Sequence, residues 1–151
     1  MSGEGGGQEL VVVGVDGSAE SVAALRWAAH YATATGARVR ALLAWHYPGA
    51  AGGPPIEKAP AAVHDQTDAQ MHETLDAAIA KAGQEAAGVE KTTAYGHPAQ
   101  ALIEASSEAD LLVVGRHGHG AFTGMLLGSV SIHCVTGAHC PVVVIRGRDG
   151  D

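Results

Sequence analysis

Residues 10–18 read LVVVGVDGS, in which an apolar run ends in an acid and a Gly-Ser step. An uninterrupted apolar run is typical of a strand that is covered on both faces, as strands are in parallel sheets. Ser18 can cap a helix, and apolar residues then recur at helical spacing through residues 22–32 until Gly36, a typical helix end. The stretch therefore predicts a buried strand followed directly by a helix.

Strand and helix patterns alternate along the rest of the chain. Further strands are predicted at residues 39–47, 89–95, 110–115 and 141–146. Between them, the apolar spacing predicts a long helix through residues 71–82, a short helix carrying Leu102 and Ile103, and a helix that begins near Ser129. The Gly- and Pro-rich residues 48–60 are expected to form a surface loop. This order predicts an α/β fold: an open five-stranded parallel sheet with helices on both faces and right-handed crossovers.

Length and composition indicate a single globular domain. The chain has 151 residues, of which 46% are hydrophobic, enough for a substantial core. We expect residues 10–147 to form the domain and residues 1–9 to be a flexible tail. The net charge of -7 argues against a nucleic-acid partner, and no apolar run reaches the roughly 20 residues that span a membrane. The N-terminus lacks a signal-peptide pattern and two cysteines suit a reducing compartment, so a cytoplasmic location is expected.

The stretch GRHGHGAFTGMLLGSVS, residues 115–131, follows the fourth predicted strand and leads into a helix. In parallel sheets, ligands bind at the carboxyl ends of the strands where the strand order reverses, and Asp16 and Gly115 both belong to that edge. A helix N-terminus offers unbonded amides and a positive dipole end to an anion. The amides of Gly128, Ser129 and Val130, with the Ser129 hydroxyl, therefore predict an anion site.

Other interpretations of this glycine-rich stretch compete with the anion site. A flexible connection without any ligand explains the glycines equally well from spacing alone. A P-loop requires Lys before the Ser, where this chain has Gly128. The segment GHGAFTG is one residue too long for the dinucleotide fingerprint and follows the fourth strand instead of the first.

The spacing Gly115-x2-Gly118-x9-Gly128-Ser129 resembles the G-x2-G-x9-G-S/T signature of ATP-binding universal stress proteins. The segments VVVGVDGS near the start and CPVVVIR near the end resemble the same family, so the similarity extends over nearly the whole chain. The resemblance implies a Rossmann-like fold of the adenine nucleotide alpha hydrolase type. It also implies an adenine nucleotide lying across the carboxyl edge of the sheet.

The resemblance further implies a role for each matching residue. Asp16 would bind the ribose hydroxyls or hold a group in the same network, and the backbone of Trp45 would meet adenine. Gly115 would pass close to the ribose. The phosphates would be bound by Gly118, Gly128, Ser129 and Val130. Arg116 would be the one fixed positive charge nearby, because positions 117 and 119 are His, and Mg²⁺ would help to balance the triphosphate.

The function implied by the resemblance is that of a cytoplasmic, nucleotide-responsive stress-response module that binds ATP. A slow ATPase or phosphoryl-transfer enzyme on the same site is the alternative, with His117 and His119 as the credible catalytic groups. ADP, AMP or a cyclic nucleotide remain open as the physiological ligand. The resemblance and the apolar final strand, which Pro141 marks as an edge, both predict a homodimer through Pro141 to Arg146.

Several residues suggest other chemistry. Asp16 at a strand end is a possible base, but such an acid more often orients a hydroxyl or caps a helix. Ser129 lacks the nucleophile elbow of hydrolases. The pairs His133-Cys134 and His139-Cys140 and the His117-x-His119 step lack the CxxC spacing typical of zinc sites, so no metal site is predicted. The run at residues 125–127 is apolar and is interpreted as core or interface.

Overall fold

A computed structural model describes residues 7–45, 61–118 and 126–147, and all side chains in these ranges except those of residues 45 and 61–67. Strands and helices alternate along the chain as predicted. The elements in chain order are β1 (Leu10–Gly14), α1 (Ala19–Thr35), β2 (Arg38–Trp45), α2 (Ala61–Ala82), β3 (Glu90–Tyr95), α3 (Pro98–Ser106), β4 (Leu111–Gly115), α4 (Ser129–Gly137) and β5 (Val142–Ile145). A short 3-10 helix, Gln84–Ala86, precedes β3.

The five strands form one parallel sheet in the order β3-β2-β1-β4-β5. The chain runs outward from β1 to β2 and β3, and then returns to the other side of β1 to form β4 and β5. The strand order therefore reverses between β1 and β4, where an open parallel sheet forms its ligand crevice. The predicted α/β fold with an open five-stranded parallel sheet is confirmed.

Helices cover both faces of the sheet. Because alternate residues of a strand face opposite sides, β1 contributes Val11 and Val13 to one core and Val12 to the other. The first core lies under α1 and α2 and contains Leu25 and Leu75, both fully buried. The second lies under α3 and α4 and contains Leu102, Leu112 and Cys134.

The turn from β1 into α1 forms as its sequence predicts. Ser18 is the N-cap of α1, and its hydroxyl accepts a hydrogen bond from the amide of Ser21 at 3.2 Å. The helix ends at Gly36, whose φ of 81° lies in the left-handed region where glycine is favoured. These two caps fix where α1 starts and stops, and so where its first turn meets the edge of the sheet.

The two edge strands differ from the central ones. β3 is exposed or half-buried throughout because its outer side has no neighbour in the described sheet, which explains its polar sequence EKTTAY. β5 is half-buried at every position and follows Pro141, as expected of an edge strand. The proposed surface loop at 48–60 lies outside the described residues. Leu126 is 82% exposed, so this side chain of the apolar run at 125–127 does not belong to the core, and its place in an interface remains a prediction.

Neither cysteine forms a disulfide. Burial raises the pKa of the Cys134 thiol to about 11, so this group stays protonated and unreactive near neutral pH. Burial and the nearby charge of Asp110 also raise the pKa of Cys140. Within the described ranges, no helix is both long enough and apolar enough to cross a membrane.

Candidate functional site

A cleft of about 390 Å³ opens at the carboxyl ends of β1 and β4, where the strand order reverses. This volume lies in the range of about 300–1,000 Å³ that is usual for small-molecule sites. The cleft is lined by Gly14, Val15, Asp16, Ser21, Leu42, Ala44, Pro98, Leu102, Val114, Gly115, His117, Gly118, Gly128, Ser129, Val130 and Ser131. Six of the eight residues predicted for the site are therefore brought together: Asp16, Gly115, Gly118, Gly128, Ser129 and Val130.

Asp16 lines the cleft and comes just before the turn that leads from β1 into α1. Its Oδ1 accepts a hydrogen bond from the amide of Ser18 at 2.9 Å, and its own amide donates to Oγ of Ser21 at 3.3 Å. Its Oδ2 lies against Gly118, since a Cβ placed on Gly118 would be only 2.5 Å from it. Asp16 thus orders the turn ahead of α1, whose N-cap is Ser18, and also faces Gly118 of the glycine-rich stretch.

The N-terminus of α4 also lines the cleft. Gly128 is the N-cap, and the first hydrogen bond of the helix runs from the amide of Ile132 to the carbonyl of Gly128 at 3.0 Å. The amides of Ser129, Val130 and Ser131 precede that bond and have no acceptor within the helix. The amide of Gly128, in contrast, donates to the carbonyl of Arg116 at 2.8 Å. The Gly128 amide was expected to bind an anion together with the amides of Ser129 and Val130, but it is already hydrogen-bonded within the protein.

Ser131 was not predicted and holds α4 in place. Its hydroxyl is buried and lies 2.5 Å from the carbonyl of Gly115 and 3.1 Å from that of Arg116, to which it can donate. This contact fastens the first turn of α4 to the end of β4. The second serine of the sequence GSVS is the signal that could have suggested it.

Gly115 leaves room for α1. A Cβ at Gly115 would lie 3.0 Å from the backbone of Glu20, closer than side chains normally approach a backbone that cannot move. A side chain here would force the first turn of α1 to shift, so packing within the protein favours glycine at this position. Its expected proximity to a ribose remains a prediction.

Arg116 does not line the cleft, although it was expected to supply positive charge to the phosphates. Its Nε lies 3.9 Å from Glu20 Oε2 and is buried without a hydrogen-bond partner among the described residues. His117, the next residue, does line the cleft, and its Nδ1 lies 3.5 Å from Glu20 Oε1. The Arg116 side chain therefore points to the Glu20 carboxylate on α1, and His117 is the basic residue that lines the cleft.

The predicted adenine contact, Trp45, is the last residue of β2 and follows Ala44, which lines the cleft. The side chains of Leu42 and Ala44 on β2 and of Pro98 and Leu102 on α3 give this part of the cleft an apolar surface. Sequence reasoning did not identify these residues as part of the site, because each has the pattern of an ordinary core or helix-start position.

Among the described residues that line the cleft, Asp16 and His117 are the only ones with acidic or basic side chains, and neither Lys nor Arg is present. The positive potential on this side of the cleft therefore comes mainly from the N-terminus of α4. In residues 7–45, 68–118 and 126–147, no group of three or more His, Cys, Asp or Glu side chains could hold a metal ion. His119 lies outside the described residues.

This chain is similar to known proteins in both sequence and structure. Residues 9–146 match the sequence model of the Universal stress protein family. Universal stress protein Rv1996 of Mycobacterium tuberculosis is 37% identical over 139 residues, which are 90% of this chain and 43% of that protein. Universal stress protein Rv2005c of the same organism is 35% identical over 140 residues, 90% of this chain and 45% of that protein. The chain thus spans less than half the length of these curated relatives.

Solved structures give the same result. A universal stress protein crystallised in complex with cAMP is 31% identical, with a TM-score of 0.63 over 93% of this chain and 98% of the other. Hypothetical protein MJ0577 has a TM-score of 0.76 at 16% identity, over 93% and 96% of the two chains, which supports the fold alone. Because the family model spans nearly the whole chain and the sequence relatives agree with it, this chain belongs to the universal stress protein family.

Proposed function

We propose that this chain binds ATP in the cleft between β1 and β4 and acts as a nucleotide-responsive stress-response module. The observation that carries the proposal is the first turn of α4, where Ser129 and Val130 line the cleft and their amides have no acceptors in their own helix. The cAMP complex of a 31% identical universal stress protein supports an adenine nucleotide as the ligand class. The free cysteines suit the reducing cytoplasm, which we propose as the compartment.

The two ends of the cleft suit different parts of a nucleotide. The apolar surface formed by Leu42, Ala44, Pro98 and Leu102 suits the adenine ring, next to the backbone of Trp45. Asp16 also lines the cleft, where it would accept hydrogen bonds from ribose hydroxyls. Phosphates would then reach Gly118 and the amides of Ser129 and Val130.

Mg²⁺ would accompany the triphosphate in this proposal. Nucleotide-bound Mg²⁺ usually takes one or two protein carboxylates together with phosphate oxygens and water. Asp16 is the one carboxylate among the described residues that line the cleft, so the residues present fit a cation held mainly through the phosphates. Mg²⁺ would offset phosphate charge that neither Lys nor Arg balances in the described lining.

A slow ATPase on the same site is the second candidate, and one observation favours it. His117 lines the cleft with its Nδ1 3.5 Å from a carboxylate oxygen of Glu20. A carboxylate that orients an imidazole is the usual support of a general base. His117 could therefore orient or deprotonate an attacking water, although no Lys clamp for the phosphates lines the described part of the cleft.

We also propose a two-fold homodimer through β5. The strand is half-buried and apolar, and its outer edge has no neighbouring strand in the described sheet. Unpaired edges of this kind favour pairing with another chain, and two copies related by a two-fold axis would pair their β5 strands antiparallel.

Fluorescence of Trp45 during an ATP titration tests the proposed ligand. Trp27, the other tryptophan, lies in α1 stacked on Tyr31 at 5.3 Å between ring centroids, and a Trp27→Phe variant would remove its signal. We expect a saturable change with ATP, competition by ADP and a weaker response to GTP, whose base inverts the donor and acceptor pattern of adenine.

Turnover of ATP, measured as the ADP formed, should be far slower than the roughly 1–100 s⁻¹ of kinases. Turnover at kinase rates would favour the enzyme, and absence of saturable binding would refute the proposal.

A further inference from the structure

Glu20 connects three parts of the chain that are far apart in sequence. It lies in the first turn of α1, and its side chain is only 18% exposed. One carboxylate oxygen, Oε1, accepts a hydrogen bond from the amide of His117 at 2.6 Å. The other, Oε2, accepts one from the amide of Gly147 at 3.2 Å. The carboxylate therefore joins α1 to the loop after β4 and to the segment after β5.

An acid in the first turn of a helix commonly serves its own helix, by interacting with the dipole or by bonding the N-cap. In α1, the N-cap side chain of Ser18 already bonds the amide of Ser21. The Glu20 carboxylate instead accepts from residues 97 and 127 positions away. A capping role alone therefore does not explain its position.

Two glycines leave space for Glu20. A Cβ on Gly115 would lie 3.0 Å from the Glu20 backbone, and a Cβ on Gly147 would lie 3.0 Å from its Cγ. The end of β4 and the segment after β5 thus have glycine, with no side chain, where each contacts Glu20. Arg116 Nε at 3.9 Å and His117 Nδ1 at 3.5 Å add two basic groups around the same carboxylate.

We propose that Glu20 is a positioning residue for nucleotide phosphates. This inference rests on the proposed function of the cleft. By holding the amide of His117, the carboxylate fixes the backbone that leads into Gly118, and Gly118 packs against Asp16. The hydrogen bond from the Gly147 amide to the same carboxylate holds the segment after β5 against the first turn of α1. Glu20 does not line the cleft, so it acts through the loop and not on the ligand.

The proposal predicts a selective loss of phosphate recognition in Glu20 variants. Glu20→Gln keeps one acceptor oxygen but places an amide NH₂ opposite the second backbone N–H, and Glu20→Ala removes both acceptors. We expect the ATP affinity of Glu20→Gln to fall about ten-fold and that of Glu20→Ala to fall further, while adenosine affinity is unchanged. Glu85→Gln is the matched control, because the Glu85 carboxylate also contacts α1, 3.2 Å from His30 Nδ1, but Glu85 does not line the cleft.

Amide hydrogen exchange without nucleotide gives an independent readout. The amides of His117 and Gly147 should exchange faster in Glu20→Gln than in the wild type and in Glu85→Gln. If Glu20→Ala does not fold, Glu20→Gln alone suffices for both measurements.

The possible results separate this inference from the proposed function. Wild-type protein that binds ATP no better than adenosine would refute phosphate recognition itself, and with it the proposed function. A wild-type preference for ATP that survives in Glu20→Gln, or an equal loss of ATP and adenosine affinity, would overturn only the positioning role. Unchanged exchange of both amides would also overturn the positioning role.

Discussion

Gly128→Asp is expected to abolish ATP binding while the protein stays folded. Gly128 has φ of -74° and ψ of 168°, an extended conformation that any residue can adopt, and an added Cβ would approach no described atom closer than 3.5 Å. As the N-cap of α4, an Asp there would accept a hydrogen bond from Val130 or Ser131. Its carboxylate would occupy the proposed phosphate position and repel the nucleotide.

The expected size of this effect follows from the hydrogen bonds that the phosphates would no longer receive. Each hydrogen bond to a charged group is worth about 1.5–3 kcal/mol, so removing two of them weakens binding by roughly a hundred-fold or more. Calorimetry should therefore detect no ATP binding, whereas the melting temperature should stay equal or rise through the better cap. Gly128→Asn is the control, because it has the same shape without the charge and should bind more tightly than the Asp variant. ATP binding by Gly128→Asp at wild-type affinity would show that phosphate does not bind at α4.

Val144→Pro is expected to convert the proposed dimer into monomers. The amides of Leu112 and Arg116 donate to the carbonyls of Pro141 and Ile145. The backbone N–H and C=O groups of the odd-numbered residues of β5 therefore point toward β4. Val144 therefore directs its own amide to the open edge, and Pro would remove that donor without breaking a bond to β4. Light scattering at micromolar concentration should give the monomer mass for the variant and the dimer mass for the wild type.

Val144→Ala provides the control for the change at β5. Val144 packs against the core under α3 and α4, so both substitutions weaken side-chain packing there, but only Pro removes the edge amide. A Val143→Lys substitution is a poorer test of pairing through β5. Val143 packs against the core under α1 and α2, so Lys there would destabilise the fold. A wild-type monomer, or a dimer that tolerates Pro at position 144, would contradict pairing through β5.

The fold could be predicted because the apolar sequences of β1 and β4 by themselves indicate that these strands are buried. Residues 10–14 and 111–115 are apolar throughout, and both strands lie in the middle of the sheet with helices on both faces. The caps at Ser18 and Gly36 were equally local signals. β3 was recognisable as less buried for the same reason, since its polar residues match its place at the edge.

The site was predicted less completely because its details depend on contacts between distant segments. The spacing of Gly118, Gly128 and Ser129 indicated which residues meet, but not that the Gly128 amide bonds the carbonyl of Arg116. The direction of the Arg116 side chain depends on Glu20, 96 positions earlier in the sequence, a pairing that no local pattern encodes. The roles of the glycines also follow from packing: Gly115 accommodates α1 and Gly118 accommodates Asp16.

A titration of ¹⁵N-labelled wild-type protein with ATP and with adenosine, followed by amide chemical shifts, tests the proposed binding site most directly. ATP should produce its largest shifts at Gly118, Ser129 and Val130, and adenosine should shift the neighbourhood of Ala44 while leaving Ser129 and Val130 nearly unmoved. Saturation by ATP with the amides of Ser129 and Val130 unchanged, and with the shifts located elsewhere on the surface, would contradict a nucleotide site at the N-terminus of α4.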